Sequence, residues 1–176
     1  MSALPVPVAG SILLLLAPRS YLRQAMPHLI SHLALSGSIT VVDGGNLFDL
    51  YSTTRQVRRA STNLNALLQR VQLARAFTCY QVVSLLAELS PSNRPLLAID
   101  LLATFYDENI STYERRRLLQ QSIYHLRRLS AAAPLAVSAA LPANSSTDEW
   151  IDQLAAAAHK TWRLERVFQP HTPRML

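Results

Sequence analysis

The chain has 176 residues, 49 % of them apolar and only 16 % charged, which favours one well-filled core over disorder. Its formal charge of +6 comes from sixteen arginines and Lys160 against eleven carboxylates, a balance compatible with binding nucleic acid, an acidic protein or nothing. One cysteine, Cys79, excludes an internal disulfide framework and a multi-cysteine zinc site and fits a reducing, cytoplasmic compartment.

The first predicted element is a buried strand over Ser11–Ala17, whose apolar run Ile12–Leu16 is followed by Ala17-Pro18 and a helix over Ser20–Leu35. No positive region precedes Ile12, which argues against a signal peptide, and no apolar run nears the roughly 18 residues of a membrane span. No membrane partner is expected. In many α/β proteins the first strand-to-helix turn wraps a phosphate with glycines and a lysine. Here that turn reads Ala-Pro-Arg-Ser-Tyr, with neither.

A β-branched strand follows over Gly37–Asp43, then a turn through "GGNLFDLY" and one helix over Thr53–Arg70. Arg70–Phe77 reads as a third strand and Tyr80–Ser90 as a short helix. Pro95–Asp100 is an apolar strand ending in a carboxylate; a loop follows, then a long helix over Thr112–Ala131. Pro134–Leu141 is another buried strand, and Ser146 or Thr147 is placed to cap a helix reaching His159. Lys160–Phe168 alternates as an outer strand, and 169–176 reads as a flexible tail. Strands alternating with helices at this spacing predict βαβ units: one α/β domain over 1–168, doubly wound, with a mostly parallel sheet and helices on both faces.

Three segments together carry a family resemblance. "RVQLARAFTCYQVVSLLAEL", Arg70–Leu89, resembles the "RVxVARAFNxDHQxxLL" segment of the RecA-fold strand-exchange recombinases of archaea and eukaryotes and their RadB- and KaiC-like ATPase relatives. "PLLAIDLLATFY" is similar to that family's acidic-ended Walker B strand, and Tyr113–Ala140 to the helix and strand after it. "TVVDGGNLFD" and "TWRLE" fall in order around them, so the resemblance spans about Gly10–Phe168.

The departures from the family cluster in one place. Where it has a GxxxxGKT phosphate loop, this chain has "APRSYLRQ"; the family's catalytic glutamate falls on Gly45, and its nucleotide-sensing Asn-Gln pair on Ala139 and Ala140. Without the glycines no run of N–H groups wraps a phosphate, and without the lysine nothing reaches the terminal phosphates. The resemblance therefore implies a degenerate paralogue: a RecA-like pseudo-ATPase core with no cofactor and no hydrolysis. Its vestigial nucleotide site would be Arg19, Ser20, Asp43 and Asp100, and it would serve as an accessory of DNA recombination or repair that binds DNA without sequence preference, a recombinase, or its own copies. The alternative is a nucleotide-binding switch or ATPase with an atypical phosphate site built from Arg19, Ser20, Arg23 and Asp100.

Read from the residues themselves, Asp100 and Asp43 are strand-end carboxylates that either orient magnesium or hold a neighbouring loop. On the long helix, Arg116 and Arg127 share one face and Arg117 and Arg128 another, each pair three turns apart; Arg115 flanks them and matches the recombinase "SARQ" arginine. Arg55, Arg58 and Arg59 form a second basic cluster at i, i+3, i+4. Both clusters are candidates for DNA or a partner, or are solvated faces. No arginine is interleaved with aromatics, so base stacking is not expected. Arg75 reads as a strand arginine paired with a carboxylate. His28 and His32 have zinc-ligand spacing but no evident third ligand, so no metal is expected.

Overall fold

The computed structural model of the protein describes residues 4–142 and 148–164. Six parallel strands form one sheet: β1 (Ile12–Ala17), β2 (Ile39–Asp43), β3 (Val71–Arg75), β4 (Leu96–Ile99), β5 (Leu135–Ala140) and β6 (Lys160–Arg163), in the order β3-β2-β4-β5-β1-β6. The sheet is wholly parallel across the described residues. α1 (Arg19–Ser36), α2 (Leu50–Ala60) and α3 (Leu64–Gln69) connect β1 to β2 and β2 to β3; α4 (Cys79–Glu88), α5 (Thr112–Ser130) and α6 (Glu149–Ala157) make the return crossovers.

The direction of winding fixes the two layers. From β1 to β3 the chain moves towards one edge of the sheet, and from β3 to β6 it moves back. Right-handed crossovers then put α1–α3 on one face and α4–α6 on the other. The core divides in the same way. Leu13, Leu15 and Ala17 of β1 pack with Leu22, Met26 and Leu29 of α1, while Ile12, Leu14 and Leu16 pack with α4, α5 and α6 through Val82, Leu119 and Trp150. Every residue of β1 is buried, which is why its sequence is continuously apolar rather than alternating.

Three predicted boundaries are corrected. The single helix over Thr53–Arg70 is two helices. Ser61 is extended and ends α2, and the Asn63 side chain accepts the Ala66 N–H at 3.2 Å to start α3. Short polar side chains compete with the helix ladder in this way. α2 also begins at Leu50 because Asp49 caps it, accepting the Tyr51 N–H at 2.9 Å. The loop after Asp100 contains a 3-10 helix, Leu101–Tyr106, with Phe105 fully buried. Asp148 caps α6 through the N–H groups of Trp150 and Ile151; the expected caps Ser146 and Thr147, the end of the outer strand beyond 164 and the 169–176 tail lie outside the described residues.

Candidate functional site

In an open parallel sheet, ligands bind where adjacent strands send the chain to opposite faces, beyond the strands' carboxyl ends. Here β1 and β5 are such a pair, and β2 and β4 are another. The residues that leave these strands meet over that crevice. β1 passes to α1 through a single residue, Pro18, whose side chain caps nothing; its carbonyl accepts the N–H groups of Tyr21 and Leu22. A one-residue connection has no length to encircle a phosphate.

Arg19, the first residue of α1, lies across the crevice. Its Nη1 donates to Asp100 Oδ2 at 2.5 Å, and its Nη2 donates to the Gly45 carbonyl. Asp100 follows β4 with left-handed backbone (φ 47°), a conformation that Asp tolerates better than most side chains. Its Oδ1 accepts the Ala140 N–H at 3.0 Å, and its own N–H donates to Ser138 Oγ at 2.9 Å. Four carboxyl-terminal strand ends are thus tied together by one buried carboxylate and one half-exposed guanidinium. Burial pushes the Asp100 carboxyl above its ordinary range, the Ala140 N–H and then Arg19 pull it down, and nearby Asp43 adds to the rise.

Gly45 belongs to this contact for a steric reason. A Cβ there would stand inside the van der Waals surface of the Asp100 carboxylate. The position where the resembled family carries a glutamate therefore admits no side chain while Asp100 keeps its place.

Asp43, fully buried, accepts the N–H of Leu47 at 3.0 Å and of Phe48 at 2.9 Å, holding the turn after β2. Arg75 lies beside it, Nε to Oδ2 at 3.8 Å, and donates to the Phe48 carbonyl at 3.1 Å. Both strand-end carboxylates thus spend their oxygens on the chain itself. Ser20 is exposed and bonds to neither.

The arginines of α5 are largely engaged within the chain. Arg115 donates to the Phe105 carbonyl at 3.0 Å and stands 5.3 Å from the centre of the Trp150 ring, joining the 3-10 helix, α5 and α6. Arg116 pairs with Glu149 at 2.7 Å. Arg117 binds both oxygens of Glu114, and that hydrogen bond holds the Glu114 carboxyl below its usual range. Arg128 donates to the carbonyls of Leu86 and Leu89 at the end of α4, where a helix leaves its acceptors unpaired. Arg127 is exposed in a shallow groove with Ser130 and His159. Arg128→Gln is expected to cost about 1–2 kcal/mol in urea unfolding, with a slope against denaturant equal to that of the wild type.

Helix geometry supplies what the one-dimensional reading missed on α5. Tyr113 and Tyr124, 78 % and 65 % exposed, line a groove of about 660 Å³ with Arg116 and Arg117, so arginine and aromatic side chains do share a face. The spacing Tyr113, Arg117, Tyr124 on one helix was the available signal.

Arg55, Arg58 and Arg59 are exposed on α2 and, among the described residues, have no carboxylate partner. Across from Arg59 on α1 lie His28 and His32, exposed and one turn apart; no third His, Cys, Asp or Glu of the described residues joins them as a metal site. No helix of the described residues is long and apolar enough to cross a membrane. Compared with models of protein families and with curated proteins, the chain matches none.

Proposed function

We propose that this chain is a noncatalytic RecA-like core, an accessory of DNA recombination or repair that acts by binding DNA, a recombinase partner or its own copies. One observation carries this reading: the Arg19 guanidinium lies on Asp100 and the Gly45 carbonyl at the switch point, where a working ATPase of this layout needs magnesium and phosphates. The wholly parallel sheet and the "ARAF" and "PLLAID" segments support the RecA-like part. The charge excess supports the binding part. The strands and helices that build the core are kept, and the groups that would clamp a transferring phosphoryl are replaced by an internal ion pair.

Titration with ATP and magnesium, followed by thermal unfolding, tests the reading. A nucleotide present at 100 times its Kd adds about 2.7 kcal/mol of stability, so binding of any use to a cell gives a plain rise in Tm. The expected result is no rise at about 1 mM nucleotide, a concentration 100 times a Kd of about 10 μM, and no phosphate release above buffer. Steady-state release that Asp100→Ala abolishes would overturn it.

A further inference from the structure

The positive charge of this protein lies almost entirely on one layer. Residues 19–75 hold seven arginines and two aspartates, a balance of +5 in a chain of +6; the other residues, with ten cations and nine carboxylates, nearly cancel. α1, α2 and α3, which cover one face of the sheet, contain no Asp or Glu at all. Of the seven arginines, Arg19 and Arg75 are turned to Asp100 and Asp43, and Arg70 donates to the carbonyls of Ala34 and Leu35. The Ser52 hydroxyl holds the Asp49 carboxyl below its ordinary range, and the Arg23 charge adds a smaller pull in the same direction. Among the described residues Arg55, Arg58 and Arg59 have no carboxylate partner and are exposed on α2.

Arg59 lines a groove of about 240 Å³ between α1 and α2 with His28, Ser31, His32, Leu35, Gln56 and Ala60, and Arg55 and Arg58 are exposed on α2 within about one turn of it. Across the groove Gln56 and Arg59 of α2 face His28 and His32 of α1, and Arg55 lies one turn before Arg59 on the same helix, a rise of about 6 Å. No carboxylate and no aromatic ring lines the groove. Protein interfaces are centred on aromatic and large apolar anchors; here Leu35 is the one large apolar side chain in the lining, and guanidinium forks beside imidazole N–H groups suit a repeating oxyanion.

We propose that the α1–α2 face is a nucleic-acid site that grips the phosphate backbone, with Arg55, Arg58 and Arg59 as charge contacts and His28, His32 and Gln56 as hydrogen-bond donors. The ligand class rests on the reading of the chain as a nucleic-acid accessory; the location of the site does not rest on the closed nucleotide crevice. It also puts the DNA contacts on the opposite face from the arginines of α5, where Glu114 and Glu149 already neutralise Arg117 and Arg116. Backbone contacts of this kind carry no base readout.

The test is fluorescence anisotropy with a labelled mixed-sequence DNA duplex over about 50–200 mM salt. Three phosphate contacts give a slope of log affinity against log salt of about −2.7, which is roughly a 40-fold loss across that range. Arg55→Gln/Arg58→Gln/Arg59→Gln is expected to abolish the slope, the triple lysine variant to keep it, and Arg116→Gln/Arg117→Gln to leave it unchanged. Should the triple variant unfold, Arg59→Gln alone is expected to flatten the slope by about 0.9. No binding at 50 mM salt, a triple variant that binds like the wild type, or loss confined to the α5 variant would each overturn the proposal. Binding to polyglutamate but not to DNA would reassign the face to an acidic protein. ATP titration reads the nucleotide crevice separately, so either reading can fail without the other.

Discussion

Gly45→Ala is expected to lower the stability of the protein by about 2–4 kcal/mol, more than any other single glycine substitution among the described residues. The added Cβ has no free direction, because it falls on the Asp100 carboxylate rather than on the end of a flexible side chain. Asp100 is itself held at both oxygens, by Arg19 and by the Ala140 N–H, so it moves only by releasing one of them. The cost thus sums overpacking with the loss of partners for a buried carboxylate. Two other glycines grade the effect. At Gly44 a Cβ would meet the Asp100 carbonyl oxygen at 3.2 Å, a tight contact that a shift of a few tenths of an ångström relieves, and at Gly37 it would meet nothing within 4 Å. Urea unfolding of the three alanine variants should order them Gly45, Gly44, Gly37 in decreasing cost. A Gly45→Ala variant within about 0.5 kcal/mol of the wild type, the range of ordinary surface changes, would show that the Arg19 bridge is not a fixed part of the fold.

The sheet was readable from sequence wherever burial dictated it. β1, β4 and β5 are covered on both faces, so they run apolar without alternation, Ser138 of β5 excepted, and the run alone marks them. The break between α2 and α3 is carried by local side-chain chemistry at Ser61 and Asn63, and helical periodicity masks it because Val57 and Leu67 both reach the same small cluster under α1. The candidate site was half readable. That Arg19, Asp43 and Asp100 are strand-end groups follows from their place in the chain; that Arg19 reaches Asp100 depends on β5 lying between β1 and β4, a fact of topology. The same limit applies to the arginines. Spacing on α5 puts Arg116 and Arg127 on one face, but only the packing of α6 and α4 reveals Glu149 beside Arg116 and the α4 carbonyls beneath Arg128. Local pattern thus finds a basic stripe, and tertiary structure decides which stripe has charge to spare.

Asp100 gives the second large effect, and its pH dependence separates burial from ion pairing. Asp100→Ala is expected to cost about 3 kcal/mol: it leaves the Ala140 N–H without its acceptor, Arg19 without its counter-charge and a Cβ-bearing residue in left-handed backbone with no polar side chain to favour it. Arg19 is 47 % exposed and regains water, which keeps the loss below that of a fully buried pair. Asp100→Asn keeps the shape, the acceptor oxygen and the tolerance for left-handed backbone, and is expected to cost about 1–2 kcal/mol. Because burial holds the Asp100 carboxyl above its ordinary range, the folded protein binds that proton more tightly than the unfolded chain. The stability that depends on Asp100 is therefore complete below the ordinary carboxylate range and declines as the pH rises through the raised folded value. The cost of Asp100→Asn, measured by urea unfolding between about pH 3.5 and pH 7, should accordingly be largest in acid and shrink towards neutrality. A cost that grows with pH would reverse the assignment: the Arg19 charge, rather than burial, would then govern this carboxylate, and the crevice would be closed by an ion pair strong enough to compete with any incoming phosphate.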